Sequence, residues 1–392
     1  DLWRLLYHST PLLHPICGIQ SGASNLKIIV NADTDTDIGT IHFRSLVAAC
    51  KTEDDFRDLC ICTKERRPNK NKQSASTQET NADIQDAKTD DNSNDKPSLL
   101  QMLECFEVFL PLVNDNFELL EKLAHAFVRK QKEQNVVYTE VRYSPHTFSA
   151  TDARGAHAAI TRGLRKGCAA HDVTVNQILC AINFRPEWSQ EVVEMAHELR
   201  HDSPCAVVGV DVAAGEDHFH PNSPIHKGHF DMCRRAKELD INITIHAGET
   251  PGSAENVCKA VERYGAQRIG HGYQIADQPE LLQRIRQQQP SQVHFEICPT
   301  SSVQTGAWDE SDQWINHPAT ELRDAGFPLS ISSDDPSVFD TTLESQYHIA
   351  AKEMKWSRDD ILQSVRHAID AAFIPEDEKD RLRRMVAMPA SG

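Results

Sequence analysis

Apolar residues follow two different spacings along the C-terminal two thirds of the chain. From Val136 onwards, short runs of β-branched and other apolar residues alternate with longer segments in which apolar residues recur every three or four positions. The first spacing is typical of strands and the second of amphipathic helices. Because strands separated by helices usually pair in parallel, the alternation predicts an α/β fold with a parallel sheet. The predicted strands are residues 136–143, 174–182, 206–212, 241–246, 268–270, 292–298 and 328–333.

Polar residues gather where several of these predicted strands end. His246 ends the fourth strand, and Glu249 follows it by three residues. His271 follows the fifth strand, and Asp334 and Asp335 follow the seventh. The carboxyl ends of parallel barrel strands form one rim, and TIM-barrel enzymes place their active sites there. A closed (β/α)8 barrel needs eight strands, so we predict a TIM barrel whose first strand is missing or degenerate.

The chain divides into three predicted regions. Residues 1–63 are expected to form an N-terminal helical region, and residues 98–392 the (β/α) barrel domain. Residues 64–97 are almost entirely polar, with Ile84 as their one large apolar residue. Such a segment buries too little surface to offset its chain entropy, which predicts a disordered insertion. Residues 99–131 have helical spacing, and Pro111 is predicted to separate two helices there.

Composition and charge narrow the function. The chain of 392 residues is 39% hydrophobic and 25% charged, as is ordinary for a globular protein. A net charge of −17 disfavours nucleic acids and anionic membranes as partners and favours a neutral small molecule. The eleven cysteines show no disulfide framework, and reduced thiols suit a cytoplasmic protein. Nothing in the sequence indicates an oligomeric state.

The residues at the strand ends suit a metal-dependent hydrolase. Imidazole and carboxylate donors, without thiolates, favour zinc, so His246, His271 and Asp334 are candidate ligands of one ion. Glu249 could move a proton beside a metal-activated water, and Asp335 could accept a hydrogen bond from a substrate. Each residue alone has a structural alternative: a core or loop histidine, or an Asx turn at Asp334-Asp335-Pro336. Their shared position at strand ends favours the metal site.

Five motifs together resemble the adenosine deaminases of the metal-dependent amidohydrolase superfamily. The resemblance runs in order from about Leu99 to Met385, and its motifs are specific jointly rather than singly. The motifs are Val136-Val-Tyr-Thr-Glu-Val-Arg-Tyr-Ser-Pro-His146, His246-Ala-Gly-Glu249, Gly270-His-Gly-Tyr273, Cys298-Pro with Thr305-Gly-Ala-Trp308, and Ser333-Asp-Asp-Pro336.

The resemblance implies a role for each candidate residue. His246 and Asp334 match zinc ligands, and Glu249 matches the acid that protonates purine N1. His271 matches the histidine that orients the attacking hydroxide, and Asp335 matches the contact to purine N7. One zinc ion per chain and a barrel of the metal-dependent hydrolase type are implied with them.

The chain departs from the family pattern in two places. The family's first strand carries His-x-His-Leu-Asp-Gly, which supplies two zinc ligands, and this hexapeptide is absent here. We expect that the sequence starts just downstream of it; alternatively, residues 27–35 are a degenerate first strand with Asn31 and Asp33 at the histidine positions. The family's glycine loop reads Asp211-Val-Ala-Ala-Gly-Glu216 here. Ala214 therefore stands at a glycine position whose backbone N–H binds the purine, and its Cβ could crowd that approach.

The predicted function is hydrolytic deamination of adenosine and 2′-deoxyadenosine to the inosine nucleosides and ammonia, in purine salvage. Two alternatives stay open. One is a catalytically inactive, deaminase-like binding protein, because two expected zinc ligands are not found. The other is a sibling purine deaminase that acts on adenine or an adenine nucleotide.

Overall fold

The structure, a computed structural model, describes residues 98–288, 293–309 and 311–387. The predicted helical region 1–63, the predicted insertion 64–97 and the candidate first strand 27–35 lie outside these residues. No helix within them is both long enough and apolar enough to cross a membrane.

Seven parallel strands form one sheet in sequence order, as the alternation of spacings predicts. They are β1 (Tyr138–Tyr143), β2 (Thr174–Ile182), β3 (Val207–Ala213), β4 (Asn242–Ala247), β5 (Arg268–His271), β6 (His294–Ile297) and β7 (Leu329–Ile331). The predicted bounds of β2 are the observed ones. Predicted β6 and β7 are too long, because only their central residues pair with a neighbouring strand.

The sheet curls into a barrel that lacks one strand among the described residues. Arg142 on β1 reaches Glu296 on β6, with Nη2 2.6 Å from Oε2. Side chains five strands apart can meet only if the sheet bends back towards its own first strand. This is a TIM barrel with the first strand missing or degenerate.

Helices cover the outside of the barrel and join its strands. They are α1 (Leu99–Val113), α2 (Phe117–Glu133), α3 (Pro145–Phe148), α4 (Ala153–His171), α5 (Ser189–Leu199), α6 (His226–Glu238), α7 (Ala254–Lys259), α8 (Pro279–Gln288), α9 (Pro299–Gln304), α10 (Pro318–Asp324), α11 (Leu343–Lys352), α12 (Arg358–Ala371) and α13 (Glu376–Ala387). Outward-facing residues of the strands pack against them; Val210, Ile243, Ile245 and Ile269 are among the fully buried ones.

One expectation about the helices is wrong. Pro111 does not separate two helices but lies inside α1, which continues to Val113. The break comes at Asn114–Asn116, where Asp115 has a positive φ and the Asn116 side chain accepts a hydrogen bond from the N–H of Leu119. An N-cap with this geometry defines a helix start more strongly than a proline defines an end. After α7 the chain continues in one π-helical turn, Ala260–Tyr264.

Candidate active site

Three predicted side chains converge at the carboxyl ends of their strands. His246 lies in β4, His271 is the last residue of β5, and Asp334 comes three residues after β7. One ligand atom from each lies within 4.8 Å of the other two, which is close enough to share one metal ion. Two imidazoles and a carboxylate are a donor set that zinc accepts. The three residues predicted from strand ends are therefore brought together.

A buried carboxylate orients His246. Its Nδ1 lies 2.9 Å from Oδ2 of Asp211, a fully buried residue of β3. Burial alone would lower the pKa of His246, but the Asp211 carboxylate outweighs it and raises that pKa to about 9. With Nδ1 engaged, Nε2 is the nitrogen left for a metal, and a carboxylate behind a ligating histidine is the usual supporting arrangement. The donor set and this support fit a zinc ion. The strand-end argument missed Asp211, although an acid inside the apolar run of β3 was a visible signal of a functional residue.

Glu249 lies in the loop after β4 and is almost fully buried. Its Oε2 is 3.7 Å from Nε2 of His271. Burial raises the pKa of Glu249; His271 opposes this shift, and the charge of Asp334 adds to it. A raised pKa keeps a carboxyl protonated closer to neutral pH, which a general acid requires.

Asp335 is partly buried beside Asp334. Burial and then the charge of Asp334 raise the pKa of Asp335 well above its ordinary value. A carboxyl with a raised pKa keeps its proton closer to neutral pH, and the protonated form can donate a hydrogen bond as well as accept one.

All six residues predicted for the site line one cavity of about 1950 Å³. They are His246, His271, Asp334, Glu249, Asp335 and Ala214. Three of them have a backbone that side chains rarely adopt: φ is 67° at Ala214, 69° at His271 and 56° at Asp334. Such conformations cost free energy and concentrate at functional sites.

Gly248 allows the β4 loop to pack closely. Its φ is 72°, and a Cβ there would lie 2.5 Å from Cγ2 of Val257 and 3.2 Å from Cα of Gly272. Both the conformation and the contact exclude a side chain. This packing brings the loop that carries Glu249 next to the loop that follows His271.

One His-x-His pair does occur in the chain, but it does not replace the missing motif. His218 and His220 flank Phe219 at the turn after β3. The His218 ring is fully buried, and its Nδ1 lies 2.9 Å from Oδ1 of Asn183. Within the described ranges, the metal-binding group includes neither histidine.

Glu216, which the sequence argument also missed, holds the loop of Glu249. Its carboxylate, only 7% exposed, accepts hydrogen bonds from the backbone N–H groups of Gly248, Glu249 and Thr250 at 2.9–3.0 Å. It also accepts from the Thr250 hydroxyl at 3.0 Å and from Asn256 Nδ2 at 2.9 Å. The sequence could not predict these hydrogen bonds, because the partners of Glu216 lie more than 30 residues further along the chain.

Comparison with known proteins agrees with this geometry. The profile of the family described as adenosine deaminase matches residues 71–389. The adenosine deaminase of Bos taurus is 33% identical over 315 residues, which are 76% of this chain and 84% of that protein.

Two solved structures have the same fold. The N6-methyl-AMP deaminase of Arabidopsis thaliana, in its apo form, is 26% identical with a TM-score of 0.62 over 74% of this chain and 83% of that chain. An amidohydrolase of Burkholderia ambifaria, with bound zinc, is 22% identical with a TM-score of 0.64 over 72% of this chain and 77% of that chain. The extent of the family match and the identity to the bovine enzyme lead to one conclusion: the chain belongs to the adenosine deaminase family.

Proposed function

We propose that this protein is a zinc-dependent hydrolase that converts adenosine and 2′-deoxyadenosine to the inosine nucleosides and ammonia, in cytoplasmic purine salvage. The observation that carries the proposal is the group formed by His246, His271 and Asp334, placed beside the buried acid Glu249. A chain of this family with that group in a large cavity has the parts for hydrolysis at a purine carbon.

His246 and Asp334 would hold the zinc ion. When bound, the ion lowers the pKa of a water molecule and so supplies a nucleophile at neutral pH. His271 lies between Asp334 and Glu249, at 3.9 and 3.7 Å, where its ring can orient that nucleophile.

The remaining residues act on the purine. When the activated water adds to C6 and loses one of its protons, negative charge develops on the ring, and a proton delivered to N1 by Glu249 removes it. Asp335, held protonated, would donate a hydrogen bond to N7, which can only accept one. The bond from C6 to the exocyclic nitrogen then breaks: the nitrogen takes up the proton that the water lost and leaves as ammonia. The C6 hydroxyl becomes a carbonyl, and its proton returns to Glu249.

A second candidate is a deaminase of N6-substituted or phosphorylated adenine nucleotides. It is favoured by the 26% identity to the Arabidopsis N6-methyl-AMP deaminase. The net charge of −17 favours the uncharged nucleosides instead.

The test measures ammonia release and zinc content with adenosine, 2′-deoxyadenosine, adenine, AMP and N6-methyl-AMP as substrates. We expect the highest kcat/KM for the two nucleosides, with about one zinc ion per chain. A preference for a nucleotide would select the second candidate. If the protein contains no zinc and turns over none of these substrates, the result would select an inactive binding protein.

Glu249→Gln tests the proposed acid. We expect zinc content to be unchanged and kcat to fall by roughly 10²-fold or more, because the amide cannot supply the proton. Glu255→Gln is the matched control: this glutamate lies on α7, six residues further along, and pairs with Arg284 at the surface. Equal activity of the two variants would remove Glu249 from the mechanism.

A further inference from the structure

Among the acids near the site, Glu216 is the one whose carboxylate oxygens accept the most hydrogen bonds. Oε1 accepts from the backbone N–H groups of Glu249 and Thr250 and from the Thr250 hydroxyl, and Oε2 accepts from the N–H of Gly248 and from Asn256 Nδ2. The Ser253 hydroxyl also lies 3.1 Å from Oε1. With these contacts filled and only 7% of the residue exposed, this carboxylate is not available to a substrate.

The contacts join two loops that carry different parts of the site. Glu216 follows Ala214 by two residues in the loop after β3, and its partners occupy the loop after β4 and the first turn of α7. Three consecutive backbone N–H groups that meet one carboxylate define the path of residues 248–250. The backbone of Glu249 is therefore fixed relative to the Ala214 side of the cavity.

We propose that Glu216 is a positioning residue for catalysis: by binding the backbone of residues 248–250, it sets where the Glu249 carboxyl stands above the substrate. This inference rests on the proposed function, in which Glu249 is the general acid. Proton transfer requires heavy atoms within hydrogen-bond reach, and a displacement of about 1 Å can cost up to 10²-fold in rate.

Glu216→Gln is the variant of choice, because it preserves size and leaves Glu249 untouched. An amide presents one oxygen and one NH2 group. In either orientation the NH2 faces at least two of the present donors, so at least two hydrogen bonds are lost. We expect kcat to fall about tenfold or more, with a smaller change in KM and with zinc content unchanged.

Hydrogen exchange gives a readout that does not depend on turnover. At least one of the N–H groups of residues 248–250 should exchange about tenfold faster or more in Glu216→Gln than in the unaltered protein, because the amide nitrogen cannot accept its hydrogen bond. If Glu216→Gln does not fold, Thr250→Val removes only the hydroxyl donor to Oε1, and we expect smaller shifts in the same directions.

The control is Glu262→Gln. Glu262 is also mostly buried, and both its oxygens accept from Arg284 at 2.6 Å, but it does not contact residues 248–250. We expect thermal stability to fall in this variant, with kcat and exchange at 248–250 unchanged.

The outcomes separate the two ideas. Unchanged kcat, or unchanged exchange at 248–250, in the folded Glu216 variant overturns the positioning role, as does a Glu262 variant that loses as much kcat. If the unaltered protein deaminates no purine, the proposed function fails; faster exchange in Glu216→Gln would then still support the structural half of the inference, and unchanged exchange would refute it.

Discussion

Arg142→Met should destabilise the protein strongly, because Arg142 neutralises two buried acids inside the barrel. Its guanidinium lies 3.2 Å from Oδ2 of Asp211 and 2.6 Å from Oε2 of Glu296. The arginine side chain is 25% exposed, Asp211 is fully buried and Glu296 is nearly so. Burial acts to raise the pKa of Glu296, but Arg142 and Arg268 outweigh it and hold that pKa well below its usual range.

The size of the destabilisation depends on which counter-ions and hydrogen bonds remain to Asp211 and Glu296 after the substitution. Removing one partner of a buried ion pair costs about 3–5 kcal/mol. Glu296 keeps Arg268, with Nε 2.9 Å away, and the Thr244 hydroxyl at 3.0 Å, while Asp211 keeps His246. We therefore expect the lower end, ~3 kcal/mol, which for a domain of this size lowers Tm by roughly 6–12 °C.

Calorimetry of the purified variants measures this, with Arg154→Met as the control. Arg154 also faces two carboxylates, Glu198 at 2.7 Å and Glu191 at 3.5 Å, but its side chain is 49% exposed. A surface pair contributes about 0–1 kcal/mol, so the control should lose roughly 4 °C or less. Adding Glu296→Gln to Arg142→Met should recover part of the loss, since one uncompensated charge is removed. Equal Tm changes for the two arginine variants would falsify the assignment of Arg142 as a buried counter-ion.

Three further predictions concern buried and strained positions. Burial lowers the pKa of His157 to about 4, so the folded protein resists a protonation that the unfolded chain undergoes near pH 6.5. As the pH is lowered from 6.5 to 4, the free energy of unfolding in urea should therefore fall by at most ~3 kcal/mol. The decrease should be smaller in His157→Gln. If both proteins show the same pH slope, His157 does not contribute. Ala214→Gly should raise the free energy of unfolding by ~0.5–1 kcal/mol, because φ is 67° there; a less stable variant would contradict this expectation. If the Cβ crowds the purine, the same variant should also have a lower KM for adenosine. Gly248→Ala should lower the free energy of unfolding in the same urea assay by ~2–5 kcal/mol, and the control Gly252→Ala by only ~1–2 kcal/mol. Both glycines have positive φ, but nothing lies within 4 Å of a Cβ at Gly252. Equal losses would mean that the contact with Val257 is unimportant.

The sequence predicted the strands well because their apolar runs are bounded by turns and interrupted by helices. It also predicted which polar residues meet, since the carboxyl ends of parallel strands share one rim. Pro111 misled because a proline lacks an N–H but does not by itself end a helix: α1 continues to Val113, and the next helix starts at the N-cap Asn116. Interactions between distant loops, such as Glu216 with residues 248–250, could not be predicted, because no spacing along the chain indicates which donors a buried acid will meet.

The acids around the cavity fall into two classes, and this division explains which ones the sequence could assign. Asp211 and Glu216 have their oxygens occupied by protein groups, so they act on other residues. Among the described residues, no hydrogen bond involves the carboxyl groups of Glu249, Asp334 or Asp335, although each is at least partly buried. Buried acids without hydrogen-bond partners are costly unless a ligand or an ion provides such partners.

A fold keeps that cost only where the open acceptors serve a bound partner, and these three acids are the ones that the strand-end pattern selected. Changes at the occupied acids should therefore alter stability or geometry together with activity. Changes at the open acids should remove activity while stability holds or rises. Comparing Tm with kcat across Asp211→Asn, Glu216→Gln, Glu249→Gln and Asp335→Asn would separate the acids that build the site from those that carry out its chemistry.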